Sequence, residues 1–164
     1  MTTWSMRAEG CVIVLVSRVR WTSRESVARL QAMADKGLVG LTFVEASVTG
    51  PAGQRTLTFL LDSGASYSLL PHGIWNEIGL ARIRSETFYL ADGTPISREI
   101  SECVIELPEV DDERRRGHTP VILGEPGDVA LLGVVTLENL GIVFNPFDRS
   151  LRVQTRFPLM RLTA

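Results

Sequence analysis

The stretch FLLDSGASYSLLP, Phe59 to Pro71, carries an aspartate out of a strongly apolar run and into a Ser-Gly-Ala turn. A carboxylate directly after such a run lies next to apolar side chains that exclude water. Its partial burial is tolerated only where hydrogen bonds satisfy it. Ser63 offers a hydroxyl, and Gly64, which has no Cβ, lets its amide approach a carboxylate while the backbone turns sharply. Ala65 is small enough to pack under the loop. The stretch therefore predicts a tight loop that holds the Asp62 carboxylate in a fixed place.

Composition places the chain among ordinary globular proteins. It has 164 residues, an apolar fraction of 45% and a net charge of −2, which suit one domain with its own core. Without a basic excess, nucleic acid and anionic membranes are not expected partners. Cys11 and Cys103 are too few for a disulfide framework, and His72 and His118 stand alone, without metal-ligand spacing.

The N-terminal part of the sequence differs from the rest. Its apolar run, 11–16, is far too short to span a bilayer and lacks the flanks of a signal peptide, so a cytoplasmic protein is expected. Ser23 could begin a helix and Gly37 could end it. Residues 1–37 are therefore either an added helix or an upstream extension, since Met33 would serve as a start, and residues 38–164 form the predicted domain.

From residue 38 onward the pattern is one of short strands separated by turns. Two runs of β-formers flank TGPAGQ, Asp92-Gly93 supplies a tight hairpin turn, and Asn145-Pro146 supplies another. Pro71 predicts the start of one short helix, and TLENLG predicts a second helical stretch. The charged segment 108–117 is interpreted as a surface loop. This organisation predicts a mainly antiparallel β barrel or sandwich.

A single fixed carboxylate does little chemistry alone, whereas two that share a proton can hydrolyse an amide. The ionised group takes a proton from water, and the neutral group donates to the substrate carbonyl. The sequence holds no second Asp-Ser/Thr-Gly, and Asp92-Gly93-Thr94 has the wrong order. The simplest source of the second carboxylate is a two-fold homodimer in which Asp62 of each chain meets at the axis.

LLDSGA resembles the active-site motif of the retroviral-type aspartic proteases, the retropepsin-like family. That family's second signature is two apolar residues and a glycine shortly before a helix, and Leu131-Leu132-Gly133 with the helical stretch Thr136–Leu140 is similar to it. FYLADGTPISREI lies between the two motifs, where the family has its flap hairpin. The resemblance covers about residues 38–150.

The resemblance implies a closed antiparallel β-barrel of the retropepsin type with one or two short helices, acting as a homodimeric aspartic endopeptidase. It implies that Asp62 is catalytic, that the Ser63 hydroxyl braces the two loops across the dimer axis, and that the Gly64 amide faces the carboxylate. It implies a peptide or protein substrate and no metal or cofactor. The remaining residues are assigned to the flap and the floor of the substrate site: Ala65, Ala91, Asp92, Gly93, Thr94, Leu132 and Gly133.

Two departures and two alternatives accompany the resemblance. The flap tip has only one glycine, Gly93, which could make it stiffer, and the Asp92 carboxylate could disfavour acidic substrate side chains. Alternatively, Asp92-Gly93 is only a good hairpin turn. The charged segment 108–117 is longer than in the minimal family arrangement. The alternatives are a catalytically idle module of the same fold, used for dimerisation or peptide binding, and an unrelated small β-barrel in which Asp62 caps a turn.

Overall fold

The protein is described by a computed structural model over residues 41–89 and 93–154. The predicted extension, 1–37, lies outside these residues, so the boundary between it and the domain stays a prediction. The described residues contain nine strands and two short helices. They are β1 (Thr42–Gly50), β2 (Gly53–Leu61), β3 (Ser68–Leu70), α1 (His72–Glu77), β4 (Arg84–Tyr89), β5 (Pro95–Val110), β6 (Glu113–Leu123), β7 (Leu131–Leu132), α2 (Val134–Asn139), β8 (Ile142–Asn145) and β9 (Ser150–Val153).

Six of the strands close a barrel in the order β1-β2-β7-β3-β6-β5. The circuit closes because Ser47–Thr49 of β1 pairs with Val104–Glu106 of β5. Strand β4 extends β5 beyond the circuit, and β8 pairs with β9 in a separate sheet. The predicted barrel with one or two short helices is confirmed. Two of its pairings, β2–β7 and β3–β6, run parallel, because long connections return the chain beside strands that it left much earlier.

The interior of the barrel holds the main core. The alternation predicted for β5 is confirmed, because Cys103, Ile105 and Leu107 are at most 3% exposed. Phe59 of β2 and Leu132 of β7 join them, and both are fully buried. Burial of each such large apolar side chain contributes about 1.5–3 kcal/mol. Residues of α2 and of the β8–β9 hairpin also belong to this core, so both elements are fastened to the barrel.

The charged segment interpreted as a surface loop is instead the tip of the long β5–β6 hairpin, and that prediction was wrong. The strands continue through it, and a two-residue turn at Asp111 and Asp112 joins them, with φ angles of 49° and 63°. Left-handed φ at both positions is the signature of a type I′ turn. The Asp111 carboxylate also accepts the Val153 amide at 2.9 Å, which anchors β9 to the hairpin tip. High charge density hid two buried apolar residues, Leu107 and Val110, between which the strand register shifts.

Both predicted helices are present. Helix α1 begins after Pro71, which is its N-cap, and Gly79 follows its end with a φ of 74°. The Trp75 indole donates to the Gly124 carbonyl at 2.8 Å, so α1 is held against the segment that follows β6. Within residues 41–89 and 93–154, no helix has the length and apolar character needed to cross a bilayer.

The burial of Cys103 predicts a chemically inert thiol. Burial raises the pKa of its thiol to about 12, whereas an unfolded cysteine titrates near about 8.5. Because the thiolate is the nucleophile, we expect iodoacetamide at pH 9 to leave Cys103 unmodified in the native protein and to alkylate it after denaturation. Mass spectrometry of the Cys103 peptide measures this. Rapid labelling without denaturant would contradict the placement of this face of β5.

Candidate active site

The Asp-Ser-Gly-Ala motif, residues 62–65, forms a tight loop at the end of β2. Strand β2 ends at Leu61, and the half-buried Asp62 follows at once. Its Oδ1 accepts the Gly64 amide at 2.9 Å, and its carbonyl accepts the Ala65 amide at 3.1 Å. A carboxylate that accepts the amide two residues ahead makes an Asx turn, which fixes the side chain against its own loop. Ser63 and Gly64 are exposed, so the loop lies at the surface.

The loop is held from behind by the segment that joins β7 to α2. We call Asp62–Ser66 the aspartate loop and Leu132–Val135 the rear segment. Three backbone hydrogen bonds join them: Asp62 N to Leu132 O (3.1 Å), Val134 N to Ala65 O (2.9 Å) and Val135 N to Ser66 O (3.0 Å). The two stretches are far apart in sequence, so the position of the carboxylate depends on tertiary structure.

The crossing is too close for a side chain at its centre. A Cβ on Gly133 would lie 2.5 Å from the carbonyl carbon of Tyr67 and 2.8 Å from the carbonyl oxygen of Ser66. Neighbouring Leu132 is fully buried, and Ala65 is 1% exposed. These residues therefore support the loop from beneath, and glycine is required where the two backbones meet.

Strand β2 presents two different faces. Phe59 and Leu61 point into the main core. Because side chains alternate along a strand, Leu60 and Asp62 belong to the opposite face. Leu60 pairs with Leu131 of β7 in parallel register and packs against a second apolar cluster. Leu60 is thus the apolar residue next to the carboxylate on this face.

The second apolar cluster, which we call the outer cluster, packs against Leu60. Its buried members are Leu69, Phe88, Ile100, Ile122 and Leu131. The half-buried side chains packed against it are Leu60, Tyr67, Ile96 and Val129, and we call these four the apolar floor. Partly buried apolar side chains beside a fixed polar group are the usual composition of a ligand site.

The β4–β5 hairpin contains the residues that the sequence assigned to a flap. Its strands pair as far as Tyr89 and Pro95, and the Phe88–Ile96 pair lies next to this end. The buried Phe88 belongs to the outer cluster, which holds this part of the hairpin in place. The rings of Tyr67 and Phe88 meet edge to face with centroids 6.1 Å apart, which joins the hairpin to the exit of the aspartate loop. Of the predicted tip residues, Ala91 and Asp92 lie outside the described part of the chain. Gly93 and Thr94 are exposed, and the Gly93 φ of 81° suits the predicted turn.

Sequence reasoning missed the polar residues behind the loop. Ser68, Thr119 and Thr136 are at most 2% exposed, and their hydroxyls are bonded to one another. A signal was present in the sequence, because Ser68 precedes Leu69-Leu70 and Thr136 lies within the apolar helix α2. Polar residues in buried positions are the informative exceptions in a core.

Comparison with known proteins gives a likeness among solved structures. No protein-family model matches this chain, and no curated protein matches it. Among solved structures, the chain is similar to a retropepsin-like aspartic protease from Rickettsia conorii, with 25% sequence identity over 68% of this chain and 88% of that one. The TM-score is 0.35.

Substitution of Gly133 at the crossing should lower the stability of the protein. We expect Gly133→Ala to destabilise the fold by about 1–3 kcal/mol, because backbone atoms of the aspartate loop must move to admit a methyl group. Urea denaturation measures the change. Gly73→Ala is the matched control, since nothing lies within 4 Å of a Cβ at that helical position. Equal stability of the two variants would contradict the tight crossing.

Proposed function

We propose that this chain is an aspartic endopeptidase that hydrolyses peptide bonds as a homodimer, with one Asp62 from each subunit. The observation that carries the proposal is the Asp62 carboxylate itself, held by the Gly64 amide on a surface loop that a second segment clamps from behind. In the proposed reaction an ionised Asp62 removes a proton from water, and the neutral Asp62 of the other subunit donates to the substrate carbonyl.

A shared site explains why the loop is exposed. The chain carries a single Asp-Ser-Gly, and a two-fold axis would place two copies of the aspartate loop face to face. Ser63 and Gly64 are the exposed residues of the loop. We propose that the Ser63 hydroxyl bonds across the axis, so that the two loops brace each other. Exposure of this polar tip supports the proposal, because contact with a second subunit would cover it.

The proposed substrate is an extended peptide or protein segment. It would lie between the apolar floor and the β4–β5 hairpin, with its backbone paired to the hairpin strands. Leu60, which precedes Asp62 in the chain, and Val129 supply apolar surface from the floor, and Ile96, the strand partner of Phe88, supplies it from the hairpin. Closure of the hairpin over the peptide would exclude water from the reacting groups. A cytoplasmic location also remains a prediction.

Removal of one charge from Asp62 is the direct test. We expect Asp62→Asn to lower kcat/KM by about 10²- to 10⁴-fold or more, because asparagine cannot exchange the proton, while the dimer stays folded. Digestion of a random peptide library across about pH 4–7 measures activity, and sedimentation measures the dimer. The control is Asp112→Asn, which makes the same chemical change at the exposed turn of the β5–β6 hairpin. Full activity of pure Asp62→Asn would refute the mechanism.

Mixed dimers test whether the site is shared. When equal amounts of wild type and Asp62→Asn exchange subunits freely, only about one quarter of the dimers keep two carboxylates. Activity per wild-type chain should therefore fall to about half if the site lies on the two-fold axis. A site contained in one subunit would leave activity per wild-type chain unchanged.

A transition-state analogue separates the enzyme from the idle module of the same fold. Pepstatin-type inhibitors present a hydroxyl to a proton-sharing pair of carboxylates. A rise in melting temperature for wild type, absent from Asp62→Asn, supports a working pair. An inactive wild type that such inhibitors do not stabilise would favour the dimerisation or peptide-binding alternative.

A further inference from the structure

Buried hydroxyls are concentrated at one place behind the aspartate loop. The described residues include four buried polar side chains, Ser68, Ser101, Thr119 and Thr136. Three of these form one connected group, while the fourth, Ser101, donates separately to the Ala81 carbonyl at 2.7 Å. We call Ser68, Thr119 and Thr136 the hydroxyl chain.

The hydroxyl chain joins three elements that are distant in sequence. Thr136 of α2 lies at its centre, 2.6 Å from the Ser68 oxygen and 3.0 Å from the Thr119 oxygen. Ser68 begins β3 and Thr119 lies in β6. A hydroxyl donates one hydrogen bond and can accept two. Ser68 uses an accepting position for the Gly133 amide, at 3.0 Å.

The bond between the Gly133 amide and Ser68 links the hydroxyl chain to the rear segment, which holds the aspartate loop. Gly133 is the central residue of the rear segment, next to Leu132, whose carbonyl accepts the Asp62 amide. Thr136 lies in the first turn of α2, immediately after the residues whose amides bond to Ala65 and Ser66. A shift of either hydroxyl therefore moves the groups that fix the height and tilt of the aspartate loop.

Stability alone does not account for three hydroxyls in this place. A buried hydroxyl must offset its loss of hydration, and replacing bonded partners by apolar groups of the same shape is often nearly neutral. What a hydroxyl adds is direction, because each bond fixes a distance and an angle that packing leaves free. In a two-fold site, a displacement of the aspartate loop in one subunit is repeated in the other.

We propose that the hydroxyl chain is a positioning network that sets the alignment of the two Asp62 carboxylates, with Thr136 as its central residue. The proposal rests on the function proposed above. Its residues touch neither substrate nor the reacting atoms, so they act through the rear segment. Loss of alignment slows the chemical step, whereas peptide binding depends on the apolar floor and the hairpin and is retained.

The test removes one hydroxyl while keeping the shape of the side chain. We expect Thr136→Val to lower kcat by about 10- to 100-fold, with KM changed less than about threefold, since small misplacements of reacting groups have effects of this size. Thr136→Ser keeps the hydroxyl and should recover kcat to within about twofold. The matched control is Ser101→Ala, which deletes a buried hydroxyl that is not bonded to the rear segment. All rates are measured above the concentration at which sedimentation shows a complete dimer.

A second readout does not depend on turnover. Removal of the Thr136 hydroxyl should accelerate hydrogen exchange at the Gly133 amide, whose acceptor is Ser68, and Ser101→Ala should leave it unchanged. Thr119 is the member of the hydroxyl chain farthest from Gly133, so Thr119→Val should lower kcat and accelerate Gly133 exchange by smaller amounts. This variant replaces Thr136→Val in the test if Thr136→Val does not fold.

The outcomes separate this inference from the proposed function. A wild type without peptidase activity removes the proposed function, and the inference with it. An active wild type whose Thr136→Val variant keeps its kcat and its Gly133 protection overturns the inference alone. Equal damage from Thr136→Ser and Thr136→Val also overturns it, because the methyl packing and not the hydroxyl would then be responsible.

Discussion

The close crossing of Gly133 behind the aspartate loop is the constraint on which the rest of the structure depends. Two backbones meet there at a distance that admits no Cβ, and the hydrogen bonds on either side of Gly133 hold the loop in place. At the crossing β7 lies between β2 and β3, parallel to β2 and antiparallel to β3.

The same strand serves stability and the proposed chemistry through its two faces. Phe59 and Leu61 belong to the main core, whereas Leu60 packs with the outer cluster and leads to Asp62. The outer cluster also contains Phe88 of the β4–β5 hairpin. Leu60, which precedes Asp62, and the part of the hairpin around Phe88 are therefore parts of one packed unit.

Local signals in the sequence were reliable where the chain makes its own turn. The Asx turn at Asp62, the short helix after Pro71 and the hairpin around Asn145-Pro146 each follow from residues within a few positions of one another. The prediction failed at segment 108–117, where charged side chains on exposed positions concealed a continuous hairpin. Strand pairing at that site depends on buried neighbours such as Leu107 and Val110, whose partners lie elsewhere in the barrel.

The sequence alone determined the aspartate on a tight glycine-containing turn, the spacing of the strands and the apolar-apolar-glycine element, because each is a property of neighbouring residues. Only the tertiary structure decided that Gly133 lies against Tyr67 and that Ser68, Thr119 and Thr136 meet behind the loop. These contacts join residues from distant parts of the chain, and their distances depend on how the whole barrel closes. No local pattern contains that information, because a buried hydroxyl and an exposed one are the same letter in a sequence.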